Sequence, residues 1–255
     1  MIFGAIADEA VVMGKADGSW LEVLVPATPG YNRYTTDWDP AGRFLAYEEN
    51  YGYGYGFGTI KTVDVGGRVK GIGSDLQFPL YPEFSPDGAW IYFARLQGNP
   101  VLYRVRTDGS IGETLAIDSQ PYGESPSLSP DGRRLVFSTY FPRQLAIVDI
   151  TTGDWSYVEG ARGTSAAWSP DGSRIAYVAT DGEAELHVVH PDGSDNHRVG
   201  DQTSSYDLGI DWSPDGKWII ARNASRDYLE LIDPASDITH PIPNTAGYQG
   251  PSWRP

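Results

Sequence analysis

The sequence Trp-Ser-Pro-Asp-Gly stands at residues 168–172 and again at residues 212–216. Proline presets φ for the first central position of a tight turn, and Asp-Gly tolerates the left-handed backbone that a reversal requires. The motif therefore predicts a hairpin turn, and turn chemistry alone accounts for its aspartate. This motif or a variant of it follows six large apolar residues, here called the anchors: Trp38, Phe84, Leu128, Trp168, Trp212 and Trp253.

The anchors are evenly spaced along the chain. Successive anchors are separated by 46, 44, 40, 44 and 41 residues. The interval from Trp253 to the chain end and on from Met1 to Trp38 is 40 residues, which is one further period. Repeats of this length are typical of propellers, in which each repeat is one blade. The sequence therefore predicts a closed ring of six units.

Each unit carries the pattern of four strands. A run of β-branched and aromatic residues, such as residues 44–47 or 90–93, follows each turn motif. A second run follows a variable loop, and a third run follows another turn. With the strand that carries the anchor, these runs make four strands, the number in a propeller blade. No stretch shows a 3.6-residue apolar period, so we predict an all-β, six-bladed β-propeller of four-stranded antiparallel blades.

The extended pattern Trp-Ser-Pro-Asp-Gly-x-x-Ile/Leu-x-Tyr/Phe, at residues 168–177 and in part at residues 212–220, resembles a known repeat. It is similar to the repeat of TolB-type six-bladed β-propellers, which are related to the WD40-like repeat group. The resemblance covers essentially the whole chain and implies one propeller domain over residues 1–255. The expected blades are residues 30–76, 77–120, 121–161, 162–201 and 202–245, with residues 246–255 and 1–29 sharing the sixth.

Both ends of the chain are expected to build the sixth blade. Residues 247–255 supply its innermost strand, and residues 2–7, 10–15 and 20–25 supply the other three. A blade shared in this way closes the ring and leaves no long exposed edge.

Charge and composition narrow the range of partners. Aspartate and glutamate number 34 against 19 lysine and arginine residues, a formal net charge of -15 that repels phosphate backbones. We therefore expect no nucleic-acid partner. The absence of cysteine excludes disulfides, thiol nucleophiles and cysteine-ligated metals. No apolar run approaches the roughly 20 residues that span a bilayer, so we expect no membrane insertion.

The resemblance also bears on location and activity. TolB-type propellers are commonly periplasmic or extracellular, which implies the same location here, with any signal peptide already removed. Some related propellers belong to prolyl-oligopeptidase-like enzymes. This sequence has no Gly-x-Ser-x-Gly elbow, so a peptidase activity of that kind is not implied.

The histidines do not predict a metal site. Three of the four lie close together in the sequence: His187, His190 and His197. On a strand, residues 187 and 190 point to opposite faces, because side chains alternate with a period of two. They cannot share the tetrahedral ligand set that zinc requires, so we expect no metal and no cofactor.

Three acidic residues each precede an anchor by one position: Asp37, Glu83 and Asp211. Paired carboxylates can perform acid–base chemistry when their environments separate their pKa values, and they can also hold calcium. The favoured interpretation is that they hydrogen-bond to backbone amides of a neighbouring blade. We therefore predict no catalytic residue.

The strongest functional signal is aromatic. In a four-stranded meander, the loops between blades and the loops joining the second and third strands emerge on one end of the propeller. Aromatic and arginine residues concentrate in these loops, above all in the glycine-spaced run at residues 51–58. Exposed aromatic clusters usually mark binding sites, although inter-blade packing is an equal alternative for Phe78, Tyr122 and Tyr206. The candidate binding residues are Tyr51, Tyr53, Tyr55, Phe57, Tyr81, Tyr122, Tyr140, Arg162, Tyr206 and Tyr248.

Two function classes follow from this pattern. The first is a non-catalytic interaction module that presents its aromatic end and channel mouth to a protein or peptide partner. The alternative is a carbohydrate-binding protein or an enzyme of the lyase or hydrolase type, with its site at the channel mouth. A third interpretation, a sensor domain within a longer membrane-anchored chain, stays open.

Overall fold

The computed structural model describes residues 1–51, 57–97, 99–115, 123–182, 184–200 and 209–255. Within these ranges the chain forms 25 strands and no helix. The strands form six antiparallel sheets, which are the blades of a six-bladed β-propeller. The fold class predicted from the repeat is confirmed.

The chain begins with three strands of the sixth blade: β1 (Ile2–Ala7), β2 (Ala10–Lys15) and β3 (Leu21–Val25). The first blade contains β4 (Tyr31–Asn32), β5 (Thr36–Trp38), β6 (Phe44–Tyr51), β7 (Phe57–Asp64) and β8 (Val69–Gln77). The second contains β9 (Pro79–Phe84), β10 (Trp90–Gln97), β11 (Asn99–Arg106) and β12 (Gly112–Thr114).

The third blade contains β13 (Gly123–Leu128), β14 (Arg134–Thr139), β15 (Leu145–Asp149) and β16 (Trp155–Tyr157). The fourth contains β17 (Gly163–Trp168), β18 (Ile175–Ala179), β19 (Glu185–Val189) and β20 (His197–Arg198). The fifth contains β21 (Ile210–Trp212), β22 (Ile219–Asn223), β23 (Tyr228–Asp233) and β24 (Ile238–Pro241), and β25 (Tyr248–Trp253) follows it.

Strand β25 returns to the sixth blade and closes the ring. The sheet order is β25-β1-β2-β3, with Trp253 opposite Phe3 and Tyr248 opposite Ala7. Beyond the strand, the N–H of Arg254 donates to the carbonyl of Ile2 at 2.9 Å. The predicted pairing of residues 247–255 with residues 2–7 is confirmed.

The anchors form the core between adjacent blades. All six are buried, with 3–7% of their surface exposed. Trp212 packs in one cluster with Val188 of the fourth blade and Ile232 of the fifth. Each anchor therefore joins two sheets, which is why one large apolar residue per repeat suffices to fix the spacing of the blades.

The aspartates of the turn motifs form hydrogen bonds within their own turns. In the copy at residues 169–172, Ser169 Oγ donates to Asp171 Oδ1 at 2.6 Å and accepts the N–H of Arg174 at 2.9 Å. Hydrogen bonds from Ser169 and Ser173 lower the pKa of Asp171 to about 2. Gly172 has φ of +69°, the left-handed conformation that the motif predicts.

Candidate functional site

A narrow channel runs along the propeller axis between the innermost strands. Each blade contributes three consecutive residues to its wall: residues 35–37, 81–83, 125–127, 165–167, 209–211 and 250–252. The cavity volume is about 100 Å³.

The wall is shaped by a ring of left-handed residues. Three positions before the anchor, five of the six blades have positive φ: Tyr81 (+58°), Ser125 (+51°), Ser165 (+52°), Gly209 (+95°) and Gly250 (+55°). In the second, third, fourth and sixth blades, the pairing register shifts beside this residue, which is the mark of a β-bulge. Bulges bend a strand and redirect its side chains, so the residue just before the anchor comes to line the channel.

The channel carboxylates bridge neighbouring blades. Each accepts the backbone N–H of the next anchor: Asp37 from Phe84 at 2.7 Å, Glu83 from Leu128 at 2.6 Å, and Asp211 from Trp253 at 2.7 Å. In the third blade, Ser127 Oγ takes the same place by accepting the N–H of Trp168 at 3.3 Å. The arrangement matches the structural interpretation of these residues, in which each bonds to an amide of the adjacent blade.

An aromatic ladder crosses the first blade at the end opposite the turn motifs. Tyr31 on β4 lies opposite Tyr51 on β6, and Tyr51 lies opposite Phe57 on β7. Directly opposed residues project from the same face of a sheet, so the three rings form a strip about 10 Å long at the ~4.8 Å strand spacing. The Tyr31 and Tyr51 ring centroids are 5.5 Å apart. Tyr51 is 63% exposed and Phe57 is 67% exposed.

No protein-family model matches the sequence. An uncharacterized protein of Agrobacterium fabrum is 40% identical over 185 residues, which cover 61% of this chain and 60% of that protein. A TolB homolog of Chlorobium luteolum is 28% identical over 131 residues, which cover 49% of this chain and 29% of that protein. The matches thus span less than two thirds of either relative.

The crystal structure of TolB from Acinetobacter baumannii matches all of this chain and 66% of its own, with a TM-score of 0.83 and 17% identity. The fold is that of a TolB-type six-bladed β-propeller. An oligogalacturonate lyase from Vibrio parahaemolyticus has a similar fold, with a TM-score of 0.63 and 13% identity over 89% of this chain and 72% of its own. The TolB-type fold by itself therefore does not separate a binding module from an enzyme.

Burial raises the pKa values of all three channel carboxylates of this propeller. The pKa of Asp211 rises to about 7, because burial of this carboxyl in the channel wall penalises its charged form. The pKa values of Asp37 and Glu83 rise well above their ordinary range, first through burial and then through repulsion from the other carboxylates. These channel carboxyls therefore hold their protons to higher pH than exposed carboxyl groups do.

The raised pKa of Asp211 predicts a pH dependence of stability. The folded protein holds this proton more tightly than the unfolded chain, so the stabilisation is complete below the ordinary value of 3.8 and is lost as the pH rises through about 7. We expect the free energy of unfolding to fall by on the order of 2 kcal/mol between about pH 4 and pH 8, and Asp211→Asn to remove this part of the decline.

Urea unfolding at about pH 4 and about pH 8 measures this effect. The matched control is Asp215→Asn, because Asp215 lies in a turn motif of the same blade and its pKa is lowered by hydrogen bonds. The control should keep the full decline over this range. An Asp211→Asn variant that loses stability with rising pH as steeply as the unmodified protein would contradict the assignment.

A buried ionic network, which no sequence motif predicted, lies beneath the aromatic ladder of the first blade. Arg33 is 1% exposed and lies between β4 and β5. Its Nε donates to Glu49 Oε2 at 3.1 Å, and the other Glu49 oxygen pairs with Lys61. Glu48, whose pKa burial raises to about 8, accepts the N–H and the hydroxyl of Thr35, both at 2.9 Å. These bonds hold the innermost strand of the first blade where its β-pairing is interrupted.

The remaining candidate residues are dispersed. Tyr81 is half-buried in the channel wall, Tyr140 is half-buried after β14, Arg162 is exposed before β17, and Tyr248 is half-buried at the start of β25. Tyr53, Tyr55, Tyr122 and Tyr206 lie outside the described residues. The structure therefore brings together Tyr51, Phe57 and the neighbouring Tyr31, and Tyr81 lies in the channel wall.

The histidines have local partners. His190 Nδ1 lies 2.8 Å from the carbonyl of Ser173, and His197 Nδ1 lies 2.8 Å from the carbonyl of Asp195. In the part of the chain that the structure describes, no three His, Cys, Asp or Glu side chains come together as a metal site would require. The same residues contain no helix that is long and apolar enough to cross a membrane.

Proposed function

We propose that this TolB-type propeller is a non-catalytic binding module that receives a protein or peptide partner on the end that carries the aromatic ladder. The observation that carries the proposal is the exposure of Tyr51 and Phe57, at 63% and 67%, on adjacent strands. Large aromatic side chains dominate interface energetics, and an exposed cluster of them favours a contact surface. A periplasmic or extracellular location, which the TolB resemblance implies, is part of the proposal.

The geometry of the channel favours binding at its mouth and argues against catalysis inside it. Its carboxylates already accept inter-blade hydrogen bonds, and its volume of about 100 Å³ is below the ~300 Å³ of ordinary ligand pockets. The alternative function is carbohydrate binding. It is supported by the exposed ring of Tyr51, because tyrosine faces also stack on sugar rings. A peptide array and a glycan array on the purified protein separate the two.

The test replaces the two exposed rungs of the ladder together, in Tyr51→Ser/Phe57→Ser. We expect the melting temperature to change little, because both side chains are mostly in solvent, and the affinity for array-selected peptides to fall about 30-fold or more. The matched control is Phe44→Ser/Tyr157→Ser, which removes two aromatics that are 39% and 38% exposed and lie away from the ladder. Calorimetric titration of each variant gives the affinities.

Three outcomes would contradict the proposal. Unfolding of the ladder variant would make Tyr51 and Phe57 core residues. Loss of binding in the control, with full binding in the ladder variant, would put the working surface elsewhere. Selection of glycans and no peptides by the arrays would favour the carbohydrate-binding alternative.

A further inference from the structure

A cleft lies beside the ladder, between the sixth and the first blades. Its volume is about 540 Å³, within the range of ligand-binding pockets. The residues that define its chemistry are Glu9, Thr28, Pro29, Gly30, Tyr31 and Tyr51. The cleft therefore combines one carboxylate with the rings of two tyrosines.

The aromatic wall is held in place by the backbone. Gly30 has φ of +86°, and a Cβ at this position would lie 3.5 Å from Cε2 of Tyr51. The Tyr51 ring thus rests beside Gly30 on one side and contacts Tyr31 on another. Much of the ring remains open to solvent, as its 63% exposure requires.

The carboxylate is held in place at a conformational cost. Asp8 and Glu9 form the two-residue turn between β1 and β2, with φ of +46° and +66°. Asn and Gly are the residues that such turns favour, and a glutamate in the left-handed region is uncommon. Glu9 Oε2 accepts the N–H of Arg33 at 2.8 Å, which fixes the carboxylate at the edge of the cleft.

The described residues that line the cleft do not balance the negative charge of this carboxylate. Of the described residues that line the cleft, none is a lysine or an arginine. The guanidinium of Arg33 is buried and donates instead to Glu49 and to the carbonyls of Glu9 and Pro26. With a net charge of -15 on the whole chain, the cleft is suited to a cationic occupant.

We propose that the cleft binds an arginine side chain of the partner, with the guanidinium over the Tyr51 ring and paired with Glu9. A guanidinium is planar, stacks on aromatic faces and presents parallel N–H donors to a carboxylate, so it uses both walls at once. This inference rests on the proposed function and names the chemistry of the partner residue. It does not depend on Phe57, which lies outside the cleft.

The probe is a short Gly-Ser peptide with one central arginine, compared with the same peptide containing citrulline, its neutral isostere. Each is titrated into isotope-labelled protein, and the amide shifts of Glu9, Gly30 and Tyr31 are followed. We expect the arginine peptide to shift these amides saturably and the citrulline peptide to bind at least ~10-fold more weakly. Glu9→Gln keeps an acceptor for Arg33 and should weaken arginine binding ~10-fold.

The matched control is Asp8→Asn, which removes the same charge from the adjacent turn position and should weaken binding less than ~2-fold. The amide spectrum reports the folding of both variants. Equal binding of the two peptides, equal effects of the two substitutions, or no shift at these amides would each overturn the inference.

The two proposals fail in different ways. If array-selected peptides require Phe57 but are insensitive to Glu9→Gln, the arginine site is wrong and the proposed function stands. If the arginine peptide binds through Glu9 while Tyr51→Ser/Phe57→Ser leaves the binding of array-selected peptides intact, the ladder is not the partner surface, although the cleft still takes a cation.

Discussion

Deletion of residues 247–255 is expected to unfold the whole protein, not to leave a shorter propeller that still folds. The deletion removes β25, the innermost strand of the sixth blade, and with it the pairing to β1. It also removes Trp253, which is 3% exposed, and the N–H that Asp211 accepts at 2.7 Å. The ring is then open at one blade, and two sheets lose the surface that they bury against each other.

Loss of the anchor Trp253 sets a lower bound on the expected loss of unfolding free energy. Removing a buried tryptophan side chain costs ~3–5 kcal/mol, and the lost strand pairing adds to this. A domain is stable by only ~5–15 kcal/mol in total, so the truncated chain should show no cooperative urea transition and little near-ultraviolet circular dichroism.

A circular permutant is the matched control. Joining Pro255 to Met1 through a short linker and opening the chain at the Gly66-Gly67 turn keeps β25 paired with β1. The ends are adjacent, because Arg254 N–H already donates to the carbonyl of Ile2 at 2.9 Å. The permutant should fold, and a truncated chain that unfolds cooperatively near the original urea midpoint would contradict the closed-ring account.

Substitution of Trp212 by alanine is expected to cost ~3–5 kcal/mol of unfolding free energy. The indole is 5% exposed and fills the space between the fourth and fifth blades. Its Nε1 donates to the carbonyl of Ala167 at 3.2 Å, so the substitution leaves a cavity and removes a hydrogen bond between two blades.

Urea unfolding of Trp212→Ala against Trp155→Ala measures this effect. Trp155 is a half-buried tryptophan on β16, the outer strand of the third blade, where the surrounding side chains can relax toward solvent. We expect its substitution to cost clearly less. A loss below about 1 kcal/mol for Trp212→Ala, within the range of ordinary surface changes, would show that the anchors do not hold the blades together.

The local features of the chain were sufficient to predict the architecture. Proline and Asp-Gly act within four residues, so the turn motif specifies a hairpin wherever it occurs. Its even recurrence, together with the 40-residue interval from Trp253 through the ends to Trp38, predicted six blades and their closure. The same spacing identified the anchors, because one buried apolar residue per repeat is what neighbouring sheets require.

The candidate site was only partly predictable. The glycine-spaced run predicted that Tyr51 and Phe57 form a contact surface, because a glycine-rich backbone does not fix aromatic side chains in a packed geometry. Tyr81 was expected on the same surface but lies in the channel wall, because its left-handed backbone turns the strand at that point. The Glu-Glu-Asn sequence at residues 48–50, which interrupts an apolar strand, was the available signal of the buried network around Arg33.

Only the tertiary structure decided how residues from different blades meet. A channel carboxylate can act as a reactive group or as a hydrogen-bond acceptor between blades, depending on whether it meets the amide of the next anchor. That amide lies more than 40 residues away for Asp37, Glu83 and Asp211. Glu9 comes from the sixth blade and Tyr51 from the first, and they line one cleft because these two blades are neighbours in the ring. Sequence periodicity fixes distances along a strand, whereas contacts between blades depend on the angle at which the ring brings two sheets together.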